Sequence, residues 1–195
     1  MADLTMESWI IFDGDISLED FLERNRPSAI TFVNMGVFAG DPKQRPIVFE
    51  YPFSIPETQK RMLLEKWEKE RRKHGRITEE YVRHLAEEYS YKSGKWLIYC
   101  PSSQIDEIWT TVAKAVVGGT LGSAANVFAS DNETYVICIY TEDFTNKEEV
   151  WAAEKSLRKL GVKFTLRYKP NIYTTLGIYA GNEWHLIPTI YRSRI

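Results

Sequence analysis

The chain has 195 residues, of which 44% are hydrophobic and 27% charged, with 25 basic against 27 acidic side chains and a formal net charge of -2. This length suits one ordinary domain with a filled core, so we expect a single domain over residues 1–195. The near balance of charges excludes attraction of the whole molecule to nucleic acid or to a membrane surface. Binding of a polyanion would therefore depend on a local basic patch.

The cysteines and the N-terminal sequence predict a reduced, intracellular environment. Cys100 and Cys138 each lie in an apolar run typical of a strand, so buried thiols are favoured over a disulfide or a metal site. "MADLTMESWIIFDGD" has no basic segment followed by a long apolar stretch, and no run approaches the roughly 20 apolar residues that span a bilayer. We expect no membrane binding and a cytoplasmic location, with the nucleus left open as an alternative.

The first quarter of the chain predicts short strands around one helix. "ESWIIFDGD" is typical of a strand that ends in a turn, and Ser17 is expected to cap a helix that runs to Asn25. Two apolar runs then follow, "ITFVNMGVF" and "PIVFEYPF", separated by a loop sequence. Both are interpreted as strands, with their order in the sheet left open.

Two helices and a strand are predicted next. The helices cover residues 56–74 and 78–93, the first stopped by Gly75, and its mixed charges are typical of a solvated face. "KWLIYC" then predicts a strand. Ser103 and Asp106 resemble a capping box that starts a further helix packed on the sheet through Trp109.

The last third of the chain contains the clearest patterns. "SAANVFAS" and "TYVICIYT" flank "DNE" as a β-hairpin whose second, almost entirely apolar strand is expected to be central. Thr145 and Glu148 fit a capping box for a helix that ends at Gly161. "VKFTLRYK" alternates, which places Lys163, Thr165, Arg167 and Lys169 on one strand face, and "LGIYA" with "WHLIPTIY" suggests a closing hairpin.

Helices that interrupt hairpins indicate an α+β fold. We expect a curved, mainly antiparallel sheet backed by helices on one face. The other face of such a sheet forms a groove, which is a common place for a ligand.

Aromatic and basic side chains accumulate towards the C-terminus, a combination that suits phosphorylated ligands with bases. Many tyrosines and tryptophans instead fill cores, as we expect for Trp96 and Trp109, and strand lysines are often solvated. Lys95 accordingly has two interpretations, an entrance cation of the groove or a solvent-facing first residue of its strand. The candidate ligand-binding residues are Lys95, Lys163, Arg167, Lys169, Tyr173, Tyr179, Trp184, His185 and Arg194.

Motifs for enzymatic chemistry are scarce. The sequence has no P-loop, no G-x-S-x-G and no dinucleotide-binding fingerprint, and its three histidines and two cysteines form no metal-ligand pattern. We therefore expect no metal and no cofactor, and the sequence leaves the oligomeric state open.

Several stretches resemble the basophilic leukaemia expressed protein family, which has no established function. They are "ESWIIFDGD", "SGKWL", "VICIYTEDFT" and, near the C-terminus, "YKPNIYTTLGIY" with "NEWHLIPTIY". The resemblance covers nearly the whole chain and is weakest from Thr31 to Tyr51. It implies the fold of the cap-binding translation initiation factor, with a ligand in the concave face of the sheet.

The resemblance to that factor also bears on individual residues. It implies a triphosphate-facing basic cluster near Arg158, Lys159 and Lys163. The factor has a Trp-Glu pair before "GKWLI", where this chain has "EEYSYK", and this departure puts the cap pocket in question.

Three functions are compatible with these patterns. The first is a non-enzymatic domain that binds a nucleotide, RNA or another phosphorylated ligand in the concave face. The second is an enzyme acting on a phosphorylated substrate, such as a phosphothreonine-lyase-like eliminase, with Lys169 and His185 as base and acid. The third is a scaffold whose helical surface binds a protein. The binding domain is the hypothesis that the residue types favour.

Overall fold

The structure, a computed structural model, describes residues 9–30, 34–44, 54–73, 77–129 and 134–195. These residues contain seven strands: β1 (Ile10–Ile11), β2 (Asn34–Phe38), β3 (Gly94–Pro101), β4 (Ala124–Ala129), β5 (Thr134–Thr141), β6 (Leu166–Pro170) and β7 (Tyr191–Ser193). They form one sheet in the order β1-β2-β4-β5-β3-β6-β7. Only the short β1–β2 pair is parallel.

Six α-helices accompany the sheet in the described ranges: α1 (Leu18–Arg24), α2 (Glu57–Arg71), α3 (Glu79–Glu88), α4 (Ile105–Val117), α5 (Lys147–Lys159) and α6 (Asn171–Thr175). Their apolar sides and one face of the sheet enclose the main core, where Trp96 and Trp109 are fully buried as expected. The predicted α+β class with a curved, mainly antiparallel sheet is confirmed.

The hairpin prediction is confirmed as well. β4 and β5 pair antiparallel, and β5 is the central strand of the seven. Cys100 on β3 and Cys138 on β5 are free and buried, also as expected. Burial raises the pKa of both thiols to about 11, so they stay protonated at neutral pH.

Two of the helix starts follow the sequence signals directly. The hydroxyl of Ser17 accepts a hydrogen bond from the Asp20 backbone N–H at 3.0 Å, and that of Thr78 accepts one from Tyr81 at 3.2 Å. Each satisfies a backbone donor that a helix leaves unpaired. The helix predicted for residues 78–93 ends earlier than expected, at Glu88, because Ser90 has a φ of 51° and Tyr91 leads into β3.

The other two predicted caps are wrong. α4 begins after Gln104 with no side-chain cap, since the Asp106 carboxylate accepts hydrogen bonds from Ser28 in a distant part of the chain. α5 is capped by Asn146, whose side chain accepts from Glu149, while the hydroxyl of Thr145 donates to Asp143. A competing donor occupies the carboxylate at α4, and a competing acceptor engages the hydroxyl at α5.

The C-terminal prediction also requires correction. The predicted strand 162–169 is shorter in the structure, and α6 follows β6 directly in place of the closing hairpin. Asn182 organises the connection to β7: its side chain donates to the carbonyls of Tyr179 and Leu186 and accepts from the Leu186 N–H. These three bonds close a compact loop where the sequence pattern suggested a strand.

Some predictions fall outside the described residues, namely the strand "PIVFEYPF" and the stop at Gly75. Among the described residues, no helix is both long and apolar enough to cross a membrane.

Candidate functional site

The sheet surface turned away from the helices is called the open face here. Strand pairing places on it alternate residues of six strands: Asn34, Gly36, Phe38, Lys95, Leu97, Tyr99, Ala124, Asn126, Phe128, Val136, Cys138, Tyr140, Arg167, Lys169 and Arg192. Its centre is a second, smaller apolar cluster built around Leu97, Cys138 and Tyr140. Basic side chains lie along one side of that cluster.

Two lysines face each other on this surface. Lys95 of β3 and Lys169 of β6 are directly paired across the antiparallel ladder, and their residues are only 7% and 5% exposed. Burial lowers the pKa of both, and that of Lys169 falls to about 8 because the charge of Lys95 adds to the effect of burial. This lysine pair therefore holds two poorly hydrated cations side by side.

The partner of Lys169 is an aromatic ring. Its Nζ lies 3.6 Å from the centroid of the Tyr179 ring, and no carboxylate among the described residues contributes to its pKa. Tyr179 belongs to the irregular segment after α6 and is 54% exposed. A cation on an aromatic face is stabilised less than one in an ion pair, and it remains available to an anion.

Two further cations on the open face lie near rings. The Lys95 Nζ is 5.4 Å from the centroid of Tyr140, and the Arg167 guanidinium carbon is 5.9 Å from that of Tyr99. Arg167 is exposed and is paired across the ladder with Arg192 of β7. A row of cations thus runs from the edge of the sheet to the lysine pair.

Asn126 is one residue of this face that sequence reasoning missed. It is 1% exposed, and neither its Nδ2 nor its Oδ1 has a hydrogen-bond partner. A signal was present, because an amide in the middle of the apolar strand "AANVFA" has no obvious place in a core. Only the strand pairing shows that it points to the open face.

The structure brings together four of the nine candidate residues: Lys95, Arg167, Lys169 and Tyr179. Lys95 is buried, which excludes its interpretation as a solvent-facing residue. Tyr99 of β3, Tyr140 of β5 and Arg192 of β7 lie on the same face, and none of them is among the nine candidates.

The other five candidates lie elsewhere. Tyr173 is buried in α6, where burial raises its pKa, and Trp184 packs edge-on against Trp67 of α2 with ring centroids 4.8 Å apart. His185 is an exposed turn residue with a φ of 56°. The two remaining residues, Lys163 and Arg194, are exposed outside the strands, so Lys163 does not share the face of β6 as predicted.

The structure also bears on the proposed acid–base pair and on the basic cluster that the resemblance implies. Lys169 and His185, both described, share no hydrogen bond. Arg158 donates to the Glu154 carboxylate and to the carbonyls of Val162 and Phe164, so it connects α5 to the chain before β6. The guanidinium of Arg158 therefore has a structural role, because these hydrogen bonds occupy it.

Two kinds of known protein are similar to this chain. The model of the family described as "Basophilic leukemia-expressed protein Bles03" matches residues 54–177. Among solved structures, schistosome eIF4E complexed with m7GpppA and 4E-BP has 13% identity and a TM-score of 0.42, over 52% of this chain and 59% of that chain.

Two nematode structures give comparable values. C. elegans eIF4E-3, in complex with the 4E-binding protein Mextli and a cap analog, has 20% identity and a TM-score of 0.38 over 43% of this chain and 53% of that chain. Ascaris suum eIF4E-3 with the m2,2,7G cap has 16% identity and a TM-score of 0.40 over 52% and 57%. This chain spans less than two thirds of each of these three proteins.

Proposed function

The chain belongs to the Bles03 family, and we propose that it binds a phosphorylated ligand of the nucleotide or RNA class on the open face. The observation that carries this proposal is the lysine pair, in which two buried cations are placed side by side. Burial and the neighbouring charge of Lys95 disfavour the charged form of Lys169, as its lowered pKa shows, and an anion bound beside it would favour that form. A phosphate group bound beside the lysine pair would supply such an anion and accept charge-assisted hydrogen bonds.

The exposed arginines extend the same surface. Arg167 and Arg192 lie next to each other on β6 and β7, on the face that carries Lys169. Their guanidinium groups suit the additional phosphates of a nucleotide or an RNA strand, because the planar fork binds phosphate oxygens in pairs.

Tyrosine rings complete the proposed site. Tyr99 and Tyr179 are 44% and 54% exposed, and each lies beside a basic residue of this surface. Their rings could stack on bases of a bound RNA strand. Stacking of a base on an aromatic side chain contributes about 1–3 kcal/mol.

Binding, in preference to catalysis, is what this set of residues supports. The open-face residues named above include neither a carboxylate nor a histidine that could transfer protons. The eliminase hypothesis needs His185 beside Lys169, whereas the described neighbours of the Lys169 side chain are Tyr179 and Lys95.

Replacing Arg167 by glutamate tests the outer part of the site. We expect Arg167→Glu to weaken binding of inorganic tripolyphosphate about three- to tenfold, because an exposed charge contributes modestly and is screened by salt. The measurement is isothermal titration calorimetry at low and at physiological ionic strength. Lys155→Glu is the matched control, since Lys155 is exposed on α5. Equal affinities of wild type, Arg167→Glu and Lys155→Glu would contradict this part of the proposal.

The low pKa of Lys169 predicts a pH dependence of binding. Below a pH of about 8 the side chain carries its charge, and above it the charge is lost. The affinity for ATP should therefore change little from about pH 7 to 7.5 and fall as the pH rises through 8 to about 9.5. The phosphates of ATP no longer change charge in this upper range, so the fall would come from the protein. A Lys169→Met variant should show a shallower decline. Wild-type affinity that stays constant up to about pH 9.5 would exclude a role for this charge.

A further inference from the structure

We infer that the amide of Asn126 hydrogen-bonds the edge of a nucleobase, which makes the open-face ligand a nucleotide with an ordinary, uncharged base. This inference rests on the proposed function, because it extends the same site from the phosphates to the base. Its starting point is a polar side chain that the free protein leaves unsatisfied.

The state of Asn126 is unusual for a buried amide. The residue is 1% exposed, and both its donor and its acceptor atoms have no partner. Buried amides in folded proteins are almost always hydrogen-bonded, and an unsatisfied one destabilises the fold. A ligand that offered an acceptor to Nδ2 and a donor to Oδ1 would remove this penalty, so its binding would gain from the same pair of atoms.

Asn126 is bordered on the side of β2 by a glycine and by an indole ring. Its partner across the ladder on β2 is Gly36, which has no side chain. A Cβ atom placed on Gly36 would lie 3.9 Å from the Asn126 Cβ and 3.9 Å from Cε3 of Trp9. The indole ring of Trp9 therefore borders the same position. Because Asn126 is 1% exposed, the groups that cover its amide have to move before the edge of a base can meet it, and that base could then stack on the indole ring.

The distance to the lysine pair fits a nucleotide. Asn126 and Lys95 are two strands apart and offset by two residues, because Lys95 pairs with Tyr140 and Tyr140 with Ala124. Strand spacing and rise then place their Cα atoms about 12 Å apart. A nucleotide carries its base and its phosphates on opposite sides of the ribose, so one molecule can occupy both positions along the open face.

The chemistry of the amide also defines the kind of base. An asparagine side chain presents one donor and one acceptor in a plane, which matches the adjacent acceptor and donor on the edge of an uncharged base. A base with a positive charge, such as 7-methylguanine, is favoured by a nearby carboxylate. The residues that line the described open face include none.

The experiment compares nucleotides with inorganic tripolyphosphate, which lacks a base. Calorimetric titrations of the full chain with ATP, GTP, CTP, UTP, m7GTP and tripolyphosphate should show at least one ordinary nucleotide binding about tenfold or more tighter than tripolyphosphate. GTP and m7GTP should differ by less than about threefold. In Asn126→Leu, a near-isosteric change, that nucleotide should bind no tighter than tripolyphosphate does. The melting temperature of the unliganded variant should rise, because an unsatisfied amide is gone.

Two further variants complete the design. Asn126→Ala should lose the same preference if the leucine variant folds poorly, and Lys155→Glu on α5 should retain it. Equal affinities of every nucleotide and tripolyphosphate for the wild type would overturn this inference and leave the proposed function standing. A preference for m7GTP above about tenfold, or a nucleotide preference that survives in Asn126→Leu and Asn126→Ala, would also overturn it. Absence of binding by nucleotides and tripolyphosphate alike would overturn the proposed function itself.

Discussion

Replacing Lys169 by methionine is expected to weaken the binding of tripolyphosphate about 10- to 100-fold and, at the same time, to raise the melting temperature of the unliganded protein. The loss of affinity follows from removal of a charge-assisted hydrogen bond, which contributes about 1.5–3 kcal/mol. The gain in stability follows because Lys169 is 5% exposed and lies opposite Lys95. Methionine has a side chain of similar length that stays buried, and it removes a poorly hydrated charge.

A lower affinity together with a higher melting temperature distinguishes a residue of a binding site from a residue that only stabilises the fold. A lysine that served only packing would leave affinity unchanged when replaced, and one that stabilised the fold through Tyr179 would lower the melting temperature. The measurements are calorimetric titration and a thermal melt on the same preparation, with Lys155→Met on α5 as the control for loss of a surface charge. Wild-type affinity in Lys169→Met would refute the assignment of the lysine pair.

The second large effect is a loss of stability, which we expect when Gly94 in the core is replaced by alanine. A Cβ atom on Gly94 would overlap the hydroxyl and ring carbons of Tyr168, which is fully buried. The Tyr168 hydroxyl lies 2.6 Å from the Thr141 hydroxyl, and its ring packs edge-on against Trp96 with centroids 5.3 Å apart. Overpacking of this kind, with partial loss of that hydrogen bond, should lower the free energy of unfolding by about 2–4 kcal/mol.

Denaturant unfolding monitored by tryptophan fluorescence measures this loss. The matched control is Gly36→Ala, a glycine in another strand of the same sheet. A methyl group there would meet its neighbours at 3.6 Å or more, which is ordinary van der Waals contact. We expect that change to alter stability by less than about 0.5 kcal/mol. Similar losses for the two variants would show that Tyr168 can shift to accommodate the methyl group.

The proposed site combines features that oppose folding. The lysine pair and the unsatisfied amide of Asn126 lie on the same face, around the apolar cluster of Leu97, Cys138 and Tyr140. Each would be improved for stability by an apolar side chain of similar size. Binding sites commonly retain such residues, since the interactions that stabilise them are completed by the ligand.

The amino-acid sequence by itself determined the elements whose cause is local. The caps of α1 and α3 depend on Ser17 and Thr78 with donors three residues away, and two apolar runs on either side of "DNE" predicted the hairpin of β4 and β5. These patterns operate within a few residues of the chain, so they can be recognised without knowing the fold. The α+β class followed from the order of these elements.

The composition of the site was decided only by the tertiary structure. Arg167, Lys169 and Lys95 meet because β6 pairs with β3, whose sequence positions are about 70 residues away. Tyr173 and Trp184 looked equivalent to Tyr179 as aromatic residues, yet helix α6 and the loop after it turn them into the core and against Trp67. Strand pairing between distant segments and burial by them determine which face a side chain occupies, and no spacing within a single segment contains that information.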